Sequence, residues 1–222
     1  MKKFVVIVAG GSGSRMGTEI PKQFLELYGK PVLMHTLQVF YDYDPQSRLI
    51  LVLPENQQHY WIELCQKHTF NLPLRVVSGG ETRFHSVQNG LELVDEEGIV
   101  FIHDGVRPLV SRDTLQKCYD TALFSGNAIP VLPVTESLRK KDRNSTISVD
   151  RSLFYSVQTP QTFRSEQILK AYNQPFDPAF TDDASVAENA GFSIHLVGGN
   201  PENIKITQPT DLIIAESLLK IN

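Results

Sequence analysis

Gly10, Gly11 and Gly13, followed by Arg15 and Lys22, put backbone freedom and fixed positive charge into one short stretch. Without side chains at those positions a backbone can approach a ligand closely and aim several N–H groups at one anion. The chemistry this suits is phosphate binding. The best-known phosphate loops have stricter spacings. The dinucleotide fingerprint needs a third glycine where Met16 stands, and no acid closes a second strand about 20 residues on. The P-loop needs glycine then lysine where Arg15, Met16 or Thr18 stands. A bare glycine loop leaves a tight turn and a phosphate cradle both open, and the bracketing cations favour the cradle.

The elements that must position this loop follow from periodicity. Val5 to Val8 form an apolar, β-branched run that reads as a buried strand emptying into the glycines. Strand-like runs at 3–9, 48–53, 74–77, 99–103 and 128–134 alternate with helical segments, among them 31–41, 56–68 and 82–93. That is the βα pattern of a mostly parallel sheet. Ligands of such sheets bind at the strands' carboxyl ends. Gly80 and Asp104 both fall there, and the helix after Gly80 offers Arg83 and Ser86 in its first turn.

Asp104 reads either as a site residue or as a cap of the following turn. His103 alternates into the sheet as a core histidine, and Trp61 reads as core or packing surface. Pro160 keeps Thr159 extended. Thr181-Asp182-Asp183 reads as a helix cap with acids in its first turn, so a metal role there is secondary and no metal-ligand set is identified. Residues 203–207 read as a short strand with Lys205 opposite Ile204 and Ile206. From 135 to 156 the chain is polar and turns at Asn144-Ser145. An isolated hairpin there needs something to pack on; the alternative is a solvated excursion.

With 222 residues, 41% of them hydrophobic, the chain can bury one sizeable core, and a single domain over 1–222 is expected. A net charge of −4 without a dense basic block argues against nucleic acid as partner. Cys65 and Cys118 lack zinc or redox spacing, which suits a reducing cytoplasm. The N-terminal apolar run is too short for a membrane span or signal peptide, so no membrane partner is expected.

GGSGSRMG then PKQFLELYGKPVLMHTL, GGETRFHSVQNGL, IHDGVRP, VDRSLFYSVQTPQTF, TDDASVAENAGF and NIKITQPTDL stand in one order between about Phe4 and Leu219. In that order the chain resembles the sugar-phosphate cytidylyltransferases, specifically the 2-C-methyl-D-erythritol 4-phosphate branch of non-mevalonate isoprenoid synthesis. The resemblance implies a Rossmann-like α/β domain of mostly parallel sheet flanked by helices, with a β-arm at about 135–156 that interlocks in a homodimer. It implies transfer of CMP from CTP to 2-C-methyl-D-erythritol 4-phosphate with Mg²⁺, giving 4-diphosphocytidyl-2-C-methyl-D-erythritol and pyrophosphate.

By the same resemblance Ala9, Gly10, Gly11, Gly13, Gly80, Ser86 and Gly105 would line the CTP site. Arg15 and Lys22 would hold its phosphates, and Lys205 would complete a catalytic clamp. Asp104, counted with the nucleotide site, would also face the methylerythritol phosphate alongside Arg107, Thr159 and Thr181, joined by Ser137 and Arg151 from the partner's arm. Such chemistry needs no nucleophilic side chain, because the attacking phosphate oxygen is already ionised and the difficulty is charge. Ribitol 5-phosphate cytidyl transfer is the alternative within the class. A non-catalytic nucleotide-binding module is the alternative outside it, opposed by Lys22 and Lys205; the missing fingerprint opposes an NAD-type oxidoreductase.

Overall fold

Two-residue periodicity in the strands sorts the core into two faces. In the computed structural model, which describes residues 1–10, 20–143 and 145–220, Val5 and Ile7 of strand β1 (Lys2–Val8) face one cluster and Phe4 and Val6 the other. A short hairpin, β2 (Glu26–Leu27) and β3 (Lys30–Pro31), leads into helix α1 (Val32–Tyr43). Then β4 (Arg48–Leu53), α2 (Glu55–Lys67), β5 (Leu74–Ser78), α3 (Arg83–Leu91) and β6 (Gly98–Asp104) complete the first βα repeats. Helix α4 (Arg112–Ser125) and β7 (Asn127–Pro133) follow, then the arm strands β8 (Leu138–Asp142) and β9 (Ser145–Val149). The chain closes with β10 (Tyr155–Val157), β11 (Gln161–Arg164), α5 (Ser165–Tyr172), α6 (Asp183–Asn189), β12 (Leu196–Gly198) and α7 (Pro209–Leu219).

The sheet has eight strands in the order β10-β7-β11-β6-β1-β4-β5, with β12 on β7. β1 pairs in parallel with both β4 and β6, and β4 with β5, so four strands end on one edge. β11 enters antiparallel between β6 and β7, which makes the sheet mixed. Residues of α1, α2 and α4 cover one face around Leu37, Phe40, Trp61 and Cys118; residues of α3, α5 and α6 cover the other around Phe84, Ile168 and Val186. This sandwich of helix layers on a sheet buried on both faces explains why the strands read as near-continuous apolar runs.

Side-chain caps set several helix starts: Thr82 for α3, Ser111 for α4 and the reciprocal Asp182–Ser185 box for α6. The arm is a separate two-stranded ladder, Leu138 opposite Val149, with most of its residues exposed. The expected strand at 203–207 does not form. Its side-chain alternation persists, with Ile206 fully buried and Lys205 outward, but Ile206 N–H reaches the Val106 carbonyl at 2.9 Å from irregular backbone. Among the described residues no helix is long and apolar enough to cross a membrane.

Candidate active site

The carboxyl ends of the parallel strands are stitched into one floor. Ala9 N–H donates to Val52 O at 3.0 Å, Gly79 N–H to Leu53 O at 2.8 Å and Gly105 N–H to Val8 O at 2.9 Å. Above it lies a cleft of about 430 Å³ reached by Ala9, Gly10, Lys22, Gly80, Ser86, Asp104 and Lys205, all named from sequence. Gly80 presses so closely on α3 that an added Cβ would fall 2.4 Å from the His85 Cβ, and its N–H donates to the Ser86 hydroxyl at 3.1 Å. Gly105 lies beneath, where a Cβ would meet that of Ala9 at 2.8 Å. Lys22 opens a 3-10 turn whose next residue, Gln23, is buried and donates to the Ala9 carbonyl at 2.8 Å.

Asp104 is the carboxylate at the centre of this floor. Lys205 Nζ lies 3.0 Å, Arg107 Nε 3.3 Å and Arg83 Nε 3.8 Å from its oxygens. Burial alone would raise its pKa, but Arg83, Lys205 and Arg107 together hold it far below the carboxylate range. Arg83 is also neutralised by Asp183, and Glu55 and Glu81 line the same cleft, so positive charge is offered to an anionic ligand locally, at Lys205 and Arg107 over the floor, rather than through a net positive field. Arg107 N–H donates to the Asp104 backbone carbonyl at 3.1 Å, closing a turn that makes no use of the carboxylate as a cap.

Beneath Asp104 runs a buried relay. His103 Nε2 lies 2.9 Å from the Arg107 carbonyl, which can only accept, so Nε2 carries the proton. Nδ1 then accepts from the Thr159 hydroxyl at 3.0 Å, and that oxygen accepts from Asp104 N–H at 3.1 Å. Burial lowers the His103 pKa from 6.5 to about 4. Because the unfolded chain takes up this proton and the folded one does not, the stability from His103 is complete above pH 6.5 and lost progressively down to about 4. A wild-type melting temperature that falls over this window, with a shallower fall in His103→Gln, is the expected result; parallel slopes would remove His103 as the cause. The effect is on the order of 3 kcal/mol, from the energy of one pKa unit.

The remaining predicted residues are spread more widely. Arg107 lies across Asp104 and donates to the Asn203 carbonyl at 2.8 Å, anchoring the segment that carries Lys205. Thr159 is buried with its hydroxyl engaged as above, while Thr181 is exposed, just before α6. Ser137 and Arg151 stand at the base of the arm, where the Arg151 guanidinium donates to the Thr135 carbonyl; neither lines this chain's own cleft. Arg151 sits on a 3-10 turn after β9 rather than on the strand. Gly11, Gly13 and Arg15 lie outside the described residues.

Arg83 is the residue that sequence reasoning left without a role. It lines the cleft and is paired to Asp183, a fully buried acid 100 positions away. The local signal existed, an arginine in the first turn of a helix following two glycines, but the partner's acid is equally explained by its place at the start of α6.

A glycine-lined cleft carrying Lys22, Arg83 and Lys205 at the strand ends of a sandwiched α/β sheet fits a phosphate-handling nucleotidyltransferase. The model of the family 2-C-methyl-D-erythritol 4-phosphate cytidylyltransferase matches residues 3–221, and the chain belongs to that family. Proteins named for this activity from Bacteroides thetaiotaomicron and Porphyromonas gingivalis are 52% and 51% identical, over 99% of this chain and 100% of the first and over 98% of this chain and 98% of the second. The crystal structure of the Thermus thermophilus cytidylyltransferase superposes with a TM-score of 0.79 at 31% identity, covering 99% of this chain and all of that one. That of the Anaerococcus prevotii 4-diphosphocytidyl-2C-methyl-D-erythritol synthase gives 0.82 at 28% identity, covering 99% and 96%.

Proposed function

We propose that this cleft transfers CMP by positioning and charge alone, without a covalent intermediate. The reaction is that of the family: CTP and 2-C-methyl-D-erythritol 4-phosphate give 4-diphosphocytidyl-2-C-methyl-D-erythritol and pyrophosphate, in isoprenoid biosynthesis. A sugar-phosphate oxygen bonds to the α-phosphorus of CTP as the bond to the bridging oxygen breaks, and pyrophosphate leaves with that electron pair. The observation that carries the reading is the buried carboxylate Asp104 holding Lys205 and Arg107 at the mouth of the glycine-floored cleft, with Arg83 fixed beside it by Asp183. Such preorganised charge favours a transition state in which negative charge spreads over the α-oxygens and the leaving group.

In this reading the backbone around Ala9, Gly10, Gly80 and Gly105, with Gly11, Gly13 and the Ser86 hydroxyl, holds the nucleotide. Lys22 and Arg15 grip its phosphates, and Lys205 stands where the attacking oxygen meets the α-phosphate. Arg107 and Thr181 face the sugar phosphate, with Thr159 bracing Asp104 from below. Among the described residues no three His, Cys, Asp or Glu side chains converge on a metal position. That fits Mg²⁺, which is usually bound through one or two carboxylates plus substrate phosphates rather than by a protein cage. Both Asp104 oxygens already face cations, so the ion would be held chiefly by the substrate phosphates, where it would supply further neutralisation of their charge.

The arm supports a homodimer. Its two strands pair only with each other, and the chain leaving it exposes Leu153, Phe154, Tyr155 and Val157, with Leu153 77% exposed. Ser137 and Arg151 would then serve the neighbouring subunit's sugar phosphate. Two free thiols, with burial raising Cys65 to about 11 and Cys118 to about 12, suit a reducing cytoplasm. Pyrophosphate release from CTP tests the assignment: brisk turnover with 2-C-methyl-D-erythritol 4-phosphate and much slower turnover with ribitol 5-phosphate is expected. Equal or reversed rates would sink it.

A further inference from the structure

Arg83 is the most firmly tied cation in the cleft wall. Its Nη1 donates to Asp183 Oδ1 at 2.8 Å and its Nη2 to Oδ2 at 2.7 Å, leaving Nε turned towards Asp104 at 3.8 Å. Asp183 is completely buried and accepts a third bond, from the Tyr172 hydroxyl at 2.7 Å. Arginine and carboxylate neutralise each other, so the pair adds little net charge for binding phosphate. What it adds is direction, because a planar fork bonded at both tines cannot rotate without breaking two charge-assisted bonds.

The two ends of this fork belong to different walls. Arg83 is the first residue of α3, one turn before the Ser86 that bonds Gly80; Asp183 is the first residue of α6, two positions after Thr181. Asp182 and Ser185 lock the same α6 turn, with Thr181 and Asp182 N–H groups both donating to the Ser185 hydroxyl. A rigid bridge therefore spans the nucleotide wall and the sugar-phosphate wall. A purely structural buried pair could sit anywhere in the core, whereas here Arg83 lines the cleft and turns its Nε towards the central acid.

We propose that Arg83 and Asp183, braced by Tyr172, are positioning residues that set the spacing between the two substrate walls and orient Asp104. The proposal rests on the sugar-phosphate reading of Thr181 and Asp104 given above. Misplacing bound reactants by about 1 Å can cost about 10²-fold. In the full chain, Arg83→Lys should raise the sugar-phosphate KM and lower kcat, by roughly 10- to 100-fold in kcat/KM on that scale. The CTP Kd, measured without sugar phosphate, should stay near the wild-type value. Tyr172→Phe keeps the ring stacked on Phe84, 4.7 Å between centroids, and removes only the hydroxyl. It should show the same KM-weighted pattern at smaller size, and it carries the test if Arg83→Lys fails to fold.

Folded variants with a lower melting temperature but wild-type kcat and KM would overturn the proposal, as would a CTP Kd weakened as much as the sugar-phosphate KM. Wild-type protein that does not use the sugar phosphate at all would instead overturn the functional reading, so the two failures are distinct.

Discussion

Lys205→Ala should reduce turnover by roughly 10²–10³, the scale for losing one preorganised donor, while the protein melts almost where the wild type does. The segment that carries Lys205 does not depend on its ammonium. Asn203 is buried and bonds the Thr159 carbonyl at 2.8 Å, Arg107 bonds the Asn203 carbonyl, and Ile206 has no exposed surface. The Lys205 side chain is 42% exposed, so its ion pair contributes little to folding in a screened setting. Asp104 keeps Arg83 and Arg107 beside it and is not left as an isolated buried charge. The loss therefore falls on the transition state, where an extra cation matters most. Steady-state kinetics beside a thermal melt decide it: early melting with near-normal turnover would make Lys205 a structural residue.

Mixing Lys22→Ala with Arg151→Ala should restore activity that neither variant shows alone. This follows from the shared site proposed above, in which each cleft takes Lys22 from its own chain and Arg151 from the neighbouring arm. A mixed dimer then has one cleft with both defects and one with neither. After random exchange roughly a quarter of wild-type activity should return, since half the dimers are mixed and each carries one intact cleft. Arg151 suits the role because its fork can grip a phosphate through two bonds, as lysine cannot. In the isolated chain that fork meets the Thr135 carbonyl at the arm's base, lies near the Glu136 carboxylate and remains exposed. Demonstrated exchange without recovery would assign Arg151 to its own subunit or to none.

The parts of this molecule that sequence made legible are those whose signal is local. β1, β4, β5, β6 and β7 are apolar runs bounded by turn residues, and each forms within a residue or two of its expected span. Asp104 was recognisable because an apolar run stops there. β11 was not, because Gln161 to Arg164 is short, follows a proline and is buried on both sides, so it shows no alternation. Its strand character comes from β6 and β7, which no local pattern reveals. Residues 203–207 differ the other way: the alternation is real, but it reflects burial, with Ile206 N–H bonding the Val106 carbonyl from irregular backbone and no ladder partner among the described residues. The Arg83–Asp183 bridge was hidden for the β11 reason, two ordinary helix starts meeting only in three dimensions.

The antiparallel insertion of β11 also sets an order of events at synthesis. β6 can pair with β1 as soon as both have emerged, but its other side waits for a strand made roughly 60 residues later, a non-local contact that is slow to close. Thr159, which holds both His103 and the Asp104 amide, travels with that late strand. A nascent chain halted after β7 can therefore hold the parallel half of the sheet while its central acid still lacks the hydroxyl beneath it. The last third of the polypeptide carries Thr159, Asp183 and Lys205, so a chain ending after β7 is expected to lack cytidylyl transfer whatever structure it holds.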